Sequence, residues 1–358
     1  MKILITGICG FAGSVLARTL LDRVESLSLA GFDNLSRKGS ETNVEPLRKL
    51  GIDVRVGDVR DRAFLAGLPK ADWILDCAAN PSVLAGVDGS ESRDLVEQNL
   101  YGTVNLLELC KSWNAGFTLL STSRVYSIAP LASLSLHDSP TRFSPSAFHP
   151  PNGFSAAGIT ESFSTAPPVS LYGSTKLCSE MLALEYGAAF GFPVWINRCG
   201  VLAGAGQFGK ADQGIFSFWV HSWKSGRPLR YIGFGGSGHQ VRDCLHPRDL
   251  VSVLQNQFRS YQQEAPRICN LSGGAANSMS LLELSSWCRT RLGPSHSEAH
   301  IANSQSSESR PYDIPWMVLD HSLATDTYNW QPATPIHDVL EEIARHAEGN
   351  PNWLDLVT

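Results

Sequence analysis

Long apolar stretches are missing from this chain. No run of about 18 apolar residues occurs among its 358 positions, so a membrane-spanning helix is not expected. Charge is also sparse, at 18% against 43% hydrophobic residues, which excludes a disordered or supercharged polymer. The 29 Lys+Arg and 34 Asp+Glu leave a net charge of −5, giving no electrostatic reason to expect nucleic acid or an anionic membrane as partner. The eight cysteines (Cys9, Cys77, Cys110, Cys178, Cys199, Cys244, Cys269 and Cys288) form no CxxC pair and have no zinc-ligand spacing with histidine. Neither a metal site nor a disulfide framework is therefore expected. Met1-Lys2 runs straight into Ile3-Leu4-Ile5, too short and wrongly flanked for a signal peptide. The expectation is a cytoplasmic protein with reduced thiols.

What is present alternates. Ile3–Thr6, Ser28–Phe32, Asp53–Val56, Trp73–Cys77, Phe117–Ser121 and Val194–Asn197 read as buried strands. Between them, Phe11–Asp22, Leu95–Trp113 and Lys176–Phe190 read as helices. Strands that are apolar throughout, separated by helices, predict a parallel sheet covered on both faces. From Ser127 to Ser170 the periodicity gives way to a segment rich in Ser, Pro, Gly and His, either a functional loop or a tolerated insertion. Further on, Arg230–Gly233 reads as a strand, and His246–Phe258, Ser280–Leu292 and Pro335–His346 as helices. At about 150 residues per domain the length suggests roughly two domains.

Gly7-Ile-Cys-Gly10-Phe-Ala-Gly13 follows the first strand and opens the first helix. Glycines there permit a tight turn and close backbone approach to a pyrophosphate, and the helix N-terminus favours an anion. Asp33 ends the second strand about 20 residues on, where a carboxylate accepts from an adenosine ribose and repels a 2′-phosphate. Gly57-Asp58-Val59 follows the third strand, with Asp58 suited to an adenine amine or to simple turn chemistry. The ensemble reads as a site for NAD rather than NADP, although Arg37 and Lys38 lie close by.

Tyr172-Gly-Ser-Thr-Lys176 puts a phenol and an ammonium on one face of a helix. The ammonium is expected to lower the phenol's pKa and make Tyr172 a general base. Such a pair alone is also a common surface feature. Ser121-Thr122-Ser123, however, places hydroxyls where the fifth strand ends, at the ligand-binding edge of α/β sheets.

With these segments the chain resembles the extended short-chain dehydrogenase/reductases, the NAD-dependent epimerase/dehydratase family. The likeness runs nearly the whole length. It includes Asn99 in Asn-Leu-Tyr-Gly-Thr-Val-Asn, the triad Thr122, Tyr172 and Lys176, and Arg242-Asp-Cys-Leu-His246-Pro-Arg-Asp249. Asn270-Leu-Ser-Gly-Gly and Arg310-Pro-Tyr-Asp313 resemble later family motifs. Asp76-Cys-Ala-Ala79 departs from the family's usual His-x-Ala-Gly but keeps the small residues.

The resemblance implies an α/β enzyme: a Rossmann-type doubly wound parallel sheet with a smaller C-terminal α/β substrate domain. Residues 1–200 would form the NAD domain with an insertion at 127–170, and 201–358 mainly the substrate domain, with about 230–261 returning to the first. Gly7, Gly10, Phe11, Ala12, Gly13, Asp33, Asn34, Ser36, Arg37, Asp58, Val59, Ala78, Ala79, Asn99, Tyr172 and Lys176 would contact NAD. Thr122, Gln207, Phe208, Gln213, Arg242, Arg310 and Asp313 would contact a nucleotide-diphosphate sugar, with Asp212 nearby. Arg242 and Arg310 are expected on the diphosphate, with ion pairs to Asp243 or Asp313 as the alternative, while His246 is expected to be structural.

Phe32-Asp-Asn-Leu-Ser-Arg-Lys-Gly39, Pro151-Asn-Gly153 and Gln240-Val-Arg-Asp243 are most similar to the branch that inverts C2 of a CDP-deoxyhexose through a transient ketone. A 4-epimerase, a net dehydrogenase/reductase and a NAD-sensing binding protein are the alternatives. Dehydration is disfavoured because Ser123-Arg124, not a carboxylate, follows Thr122. Relatives also imply a homo-oligomer, a dimer or tetramer built on the Leu95–Trp113 and Lys176–Phe190 helices.

Overall fold

The computed structural model describes residues 1–87, 89–146, 151–211, 213–259, 265–302 and 312–357. Seven parallel strands build the main sheet: β1 (Lys2–Thr6), β2 (Ser28–Asp33), β3 (Asp53–Val56), β4 (Trp73–Asp76), β5 (Gly116–Thr122), β6 (Val194–Cys199) and β7 (Ile268–Leu271). Their order is β7-β6-β5-β4-β1-β2-β3, so the chain first winds outward from β1 and then crosses back to continue on its other side. Alternate residues face opposite sides of a strand. Ile3 and Ile5 accordingly pack with Leu16 and Leu20 of α1 (Phe11–Arg23), while Leu4 packs with Leu106 and Leu107 of α2 (Gly102–Trp113) on the other face. Both faces are dry, which is why the strands carry no polar alternation.

The expected helix over Leu95–Trp113 is continuous with Ser92–Val96 and is widened at Glu97–Tyr101 into a π-turn. Helix α3 (Ser170–Phe190) begins six residues before the expected start, so Tyr172 lies in its first turn. Helix α4 (Val251–Arg259) returns to the sheet, burying Val251, Val253, Leu254 and Phe258 with the α1 side of the core.

A second lobe holds a short mixed sheet, Ser278–Ser280, Val241–Asp243 and Trp316–Met317, and the helices Ile215–Lys224, Leu281–Leu292 and Ile336–Gly349. Its core joins Trp219, Val220 and Trp223 to Val339, Leu340 and Ile343. Arg230–Gly233 is not a strand. Leu229 and Tyr231 are buried against helix residues, Tyr231 stacked on Trp219 at 5.6 Å, and Gly233 at φ 80° turns the chain away. The 127–170 segment contributes a hairpin, Leu136–Asp138 with Phe143–Pro145, clamped to the second lobe by Arg142–Glu283 at 2.5 Å and His239–Asp138 at 2.5 Å.

A buried ion pair joins α3 to the sheet. Arg198 of β6 meets Glu180 of α3 at 2.7 Å, with side chains 5% and 2% exposed. Ser121 donates to Glu180, and Arg198 reaches Tyr126 at 3.4 Å. Removing one member of a buried pair strands the other charge. Glu180→Gln should therefore lower unfolding free energy by about 3–5 kcal/mol, while the apolar double substitution Glu180→Leu/Arg198→Met costs much less, as read by urea unfolding.

Candidate active site

One cleft of about 740 Å³ runs along the carboxyl edge of the sheet between the lobes. At one end lies the glycine loop. A Cβ on Gly7 (φ 60°) would sit 2.9 Å from the Ala78 Cα, and one on Gly13 would sit 2.3 Å from the Gly7 carbonyl oxygen. Helix α1 has neither a side-chain cap nor an acid in its first turn, so its N–H groups and positive end are left to an anion. Asp33 accepts from the N–H of Cys9 at 3.1 Å and of Leu35 at 2.9 Å. Burial lifts its carboxyl above the usual range against the pull of those donors.

In the middle of the cleft, Thr122 ends β5 opposite Cys199 of β6. Its hydroxyl lies close enough to Tyr172 to favour the ionised phenol, and it accepts the Arg124 N–H at 3.2 Å. Tyr172 and Lys176 are 7% and 3% exposed, one helical turn apart, and both line the cleft. The expected lowering of the phenol by Lys176 is not the dominant effect here. Burial dominates and pushes Tyr172 up to about 12, opposed by the Thr122 hydrogen bond and by the charge of Arg124.

At the far end, Arg242 donates to the Val241 carbonyl at 2.8 Å and pairs with Asp313 at 3.4 Å, not with Asp243. Arg124 donates to the Tyr312 carbonyl at 3.3 Å. Phe218, Trp219, Leu229, Ile232 and Met279 supply an apolar wall. Among the described residues, five basic side chains line the cleft: Arg37, Arg124, Lys176, Arg230 and Arg242. Among the described residues only Asp33 and Asp313 bring a carboxylate to it. The balance suits a ligand carrying several negative charges.

A profile described as the NAD dependent epimerase/dehydratase family matches residues 3–272. The chain belongs to that family. Among its relatives, CDP-paratose 2-epimerase of Salmonella typhi is 28% identical over 356 residues, covering 96% of this chain and 98% of that protein. A probable UDP-glucuronate 4-epimerase of Rhizobium meliloti (strain 1021) is 28% identical over 263 residues, 71% of this chain and 67% of its own. The crystal structure of UDP-glucuronic acid 4-epimerase from Bacillus cereus, in complex with UDP-glucuronic acid and NAD, shares the fold with a TM-score of 0.78 at 24% identity, over 98% of this chain and 99% of that one.

For a member of a NAD-dependent family the dinucleotide end fits its cofactor: a cradle that any Cβ would fill, an uncapped helix N-terminus and a carboxylate closing β2. Phe11, Ala12, Asn34, Ser36, Arg37, Val59, Ala78 and Ala79 line it with the glycines. Two expected cofactor contacts stand apart. Asn99 is turned inward by the π-turn, where it accepts from the Asn80 N–H at 2.8 Å and donates to Thr175 at 3.2 Å, so it supports the wall instead of lining it. The Asp58 carboxylate is held by Arg60 at 2.8 Å and Asn34 at 2.9 Å, and lies outside the lining at a pKa lowered to about 2 chiefly by Arg60.

Of the expected substrate contacts, Gln207, Gln213, Arg242 and Asp313 line the cleft with Thr122. Phe208 also borders it, but its ring stacks on Trp353 at 5.9 Å and is spent on the C-terminal helix Trp353–Val357. Arg310 and Asp212 lie outside the described residues. His246 accepts the Arg248 N–H at 3.1 Å, and the 127–169 segment adds no described residue to the lining. Sequence reasoning missed Arg124 as a site residue, although its place two residues beyond Thr122 was the signal.

Tyr172 should ionise near pH 12, not at the ordinary 10.0, in protein stripped of ligands. The folded state then favours the neutral phenol, a contribution intact below the unfolded pKa and lost as pH climbs to the folded one. Ultraviolet difference titration of wild type against Tyr172→Phe reads the ionisation, and the variant should lose less stability at alkaline pH.

Proposed function

We propose that this protein is a NAD-dependent nucleotide-sugar epimerase that inverts a sugar carbinol through a transient ketone, with a CDP-linked deoxyhexose inverted at C2 as the substrate reading. The observation that carries it is the Thr122–Tyr172–Lys176 group in a basic cleft, with Ser123-Arg124 and no carboxylate following Thr122 in the chain. The end-to-end similarity to CDP-paratose 2-epimerase supports the choice of sugar nucleotide.

When bound in the glycine-loop end, NAD supplies a reversible hydride acceptor. Tyr172 takes the proton of the sugar hydroxyl and gives it back after inversion. Thr122, beside the phenol in the cleft, donates to the same sugar oxygen. Lys176 adds a fixed positive charge one turn along the helix and a donor toward the cofactor's ribose. Arg242 meets the diphosphate as a bidentate donor. An elimination would need a second acid or base beside the ketone, and Arg124 occupies that position.

Incubation with CDP-deoxyhexoses should interconvert C2 epimers by NMR, without net accumulation of reduced cofactor and without solvent deuterium at the inverted carbon. Tyr172→Phe should cut turnover by roughly 10²- to 10⁴-fold with cofactor content unchanged. Full activity in that variant defeats the assignment.

The free thiols at all eight cysteines support a reducing, cytosolic setting, and no described helix is long and apolar enough to cross a membrane. We also propose a homodimer through α3 and its neighbour. Leu171, Cys178 and Met181 form an exposed stripe on α3, Met181 62% exposed, next to Tyr101 at 59%. Met181→Lys should shift sedimentation from dimer toward monomer with the circular dichroism spectrum unchanged.

A further inference from the structure

We propose that Arg124 anchors the substrate by the phosphate on the anomeric carbon, and thereby presents C2 rather than C4 of the sugar to Tyr172. The inference rests on the nucleotide-sugar reading and deepens it.

The backbone at Arg124 is wedged into the catalytic group. Its N–H donates to the Thr122 hydroxyl at 3.2 Å, and a Cβ on Gly173 would lie 2.3 Å from its carbonyl oxygen, so the first turn of α3 rests on it directly. The guanidinium leaves this point toward the second lobe and reaches the Tyr312 carbonyl at 3.3 Å. Tyr312 is held at φ 63°, a conformation that bulky residues seldom adopt, and the next residue, Asp313, accepts from Arg242 at 3.4 Å. Arg124 thus stands between the reacting centre and the arginine expected on the diphosphate.

Two guanidiniums here share the neighbourhood of Asp313. Burial first, and then the charge of Arg242, hold Arg124 down to about 10, partly relieved by Asp313 and Tyr172. A phosphate lowers the energy of both cations, and a pair of planar forks suits its oxygens. At neutral pH the guanidinium stays protonated, so it binds an anion and transfers no proton.

The rest is the connectivity of a hexose. C2 is bonded to the anomeric carbon that bears the phosphate, whereas C4 lies across the ring. A phosphate-binding cation next to Thr122 and Tyr172 therefore fits a reaction at the carbon beside the anomeric centre. Inversion at C4 would carry the phosphate a ring's width away from the catalytic phenol.

Calorimetric titration with CDP separates this from a structural role. Arg124→Met should weaken CDP about 10- to 100-fold, the loss of one charge-assisted contact, with cofactor content and melting temperature unchanged. Arg124→Lys, which keeps the charge and loses the fork, should fall between the two and provides the readout if the methionine variant does not fold. KM for the CDP-sugar should rise with the loss of CDP affinity. Deuterium at C2 of the sugar should slow turnover, and deuterium at C4 should not. CDP affinity within twofold of wild type in both variants overturns the anchor, and an isotope effect from C4 alone overturns the placement. If wild type binds CDP through Arg124 yet inverts no CDP-sugar, the functional reading and the C2 placement both fall while the anchor stands.

Discussion

The catalytic geometry hangs on the ion pair between Arg198 and Glu180. Two charges in a dry interior are worth having only if their remaining bonds are made. Here Ser121 donates to the carboxylate, Arg198 reaches Tyr126, and Tyr126 donates to Asn270 at 2.6 Å. The network therefore stitches β5, α3, β6 and β7 at one level of the sheet. Ser121 directly precedes Thr122, and Glu180 lies two helical turns from Tyr172, about 12 Å along the axis. With those points pinned, Tyr172 and Thr122 are brought to the same cleft as a matter of helix and strand geometry. Gly173 completes the placement, since any side chain there would push the helix off the Arg124 carbonyl.

The same withdrawal from water acts on the cleft's titratable groups in opposite directions. It raises the acid Tyr172 to about 12 and lowers the base Arg124 to about 10. Each shift favours the uncharged species, so burial by itself opposes ionisation of the phenol. A ligand that brings negative phosphate to the arginines and displaces water relieves one side of this imbalance. The cost of holding charges in a poorly solvated cleft is thus recovered on binding, which ties chemistry to occupancy.

What the sequence disclosed was mostly local. The glycine loop, the carboxylate closing β2 and the Tyr-Lys pair are set by a turn, a strand end and one helical repeat, so their places in the cleft follow from spacing. Asn99 and Asp58 are set by a different kind of contact: their partners Thr175 and Asn34 come from elements brought near only by folding. Glu180 and Arg198 read as ordinary helix and strand residues because their pairing also depends on which strands become neighbours. Strand β7 was not anticipated either, as a four-residue run beyond α4 gives little period to read. Arg230–Gly233 shows the converse, an apolar alternation used for packing on a helix and not for a ladder.

Which fate awaits a ketone in this cleft is decided by what can reach it. Elimination of water needs an acid and a base beside the oxidised carbon, and of the carboxylates among the described lining residues one closes β2 and the other is paired with Arg242. The residue two positions past Thr122 is a guanidinium, which at neutral pH is protonated and has no lone pair to act as a base. In the proposed mechanism Tyr172 and Thr122 remain, and both are assigned to the oxygen alone. A ketone held only by its oxygen and its phosphate keeps its neighbouring C–H and C–O bonds. The chemistry left open is reduction at the carbon just oxidised, on the face it left or on the opposite one.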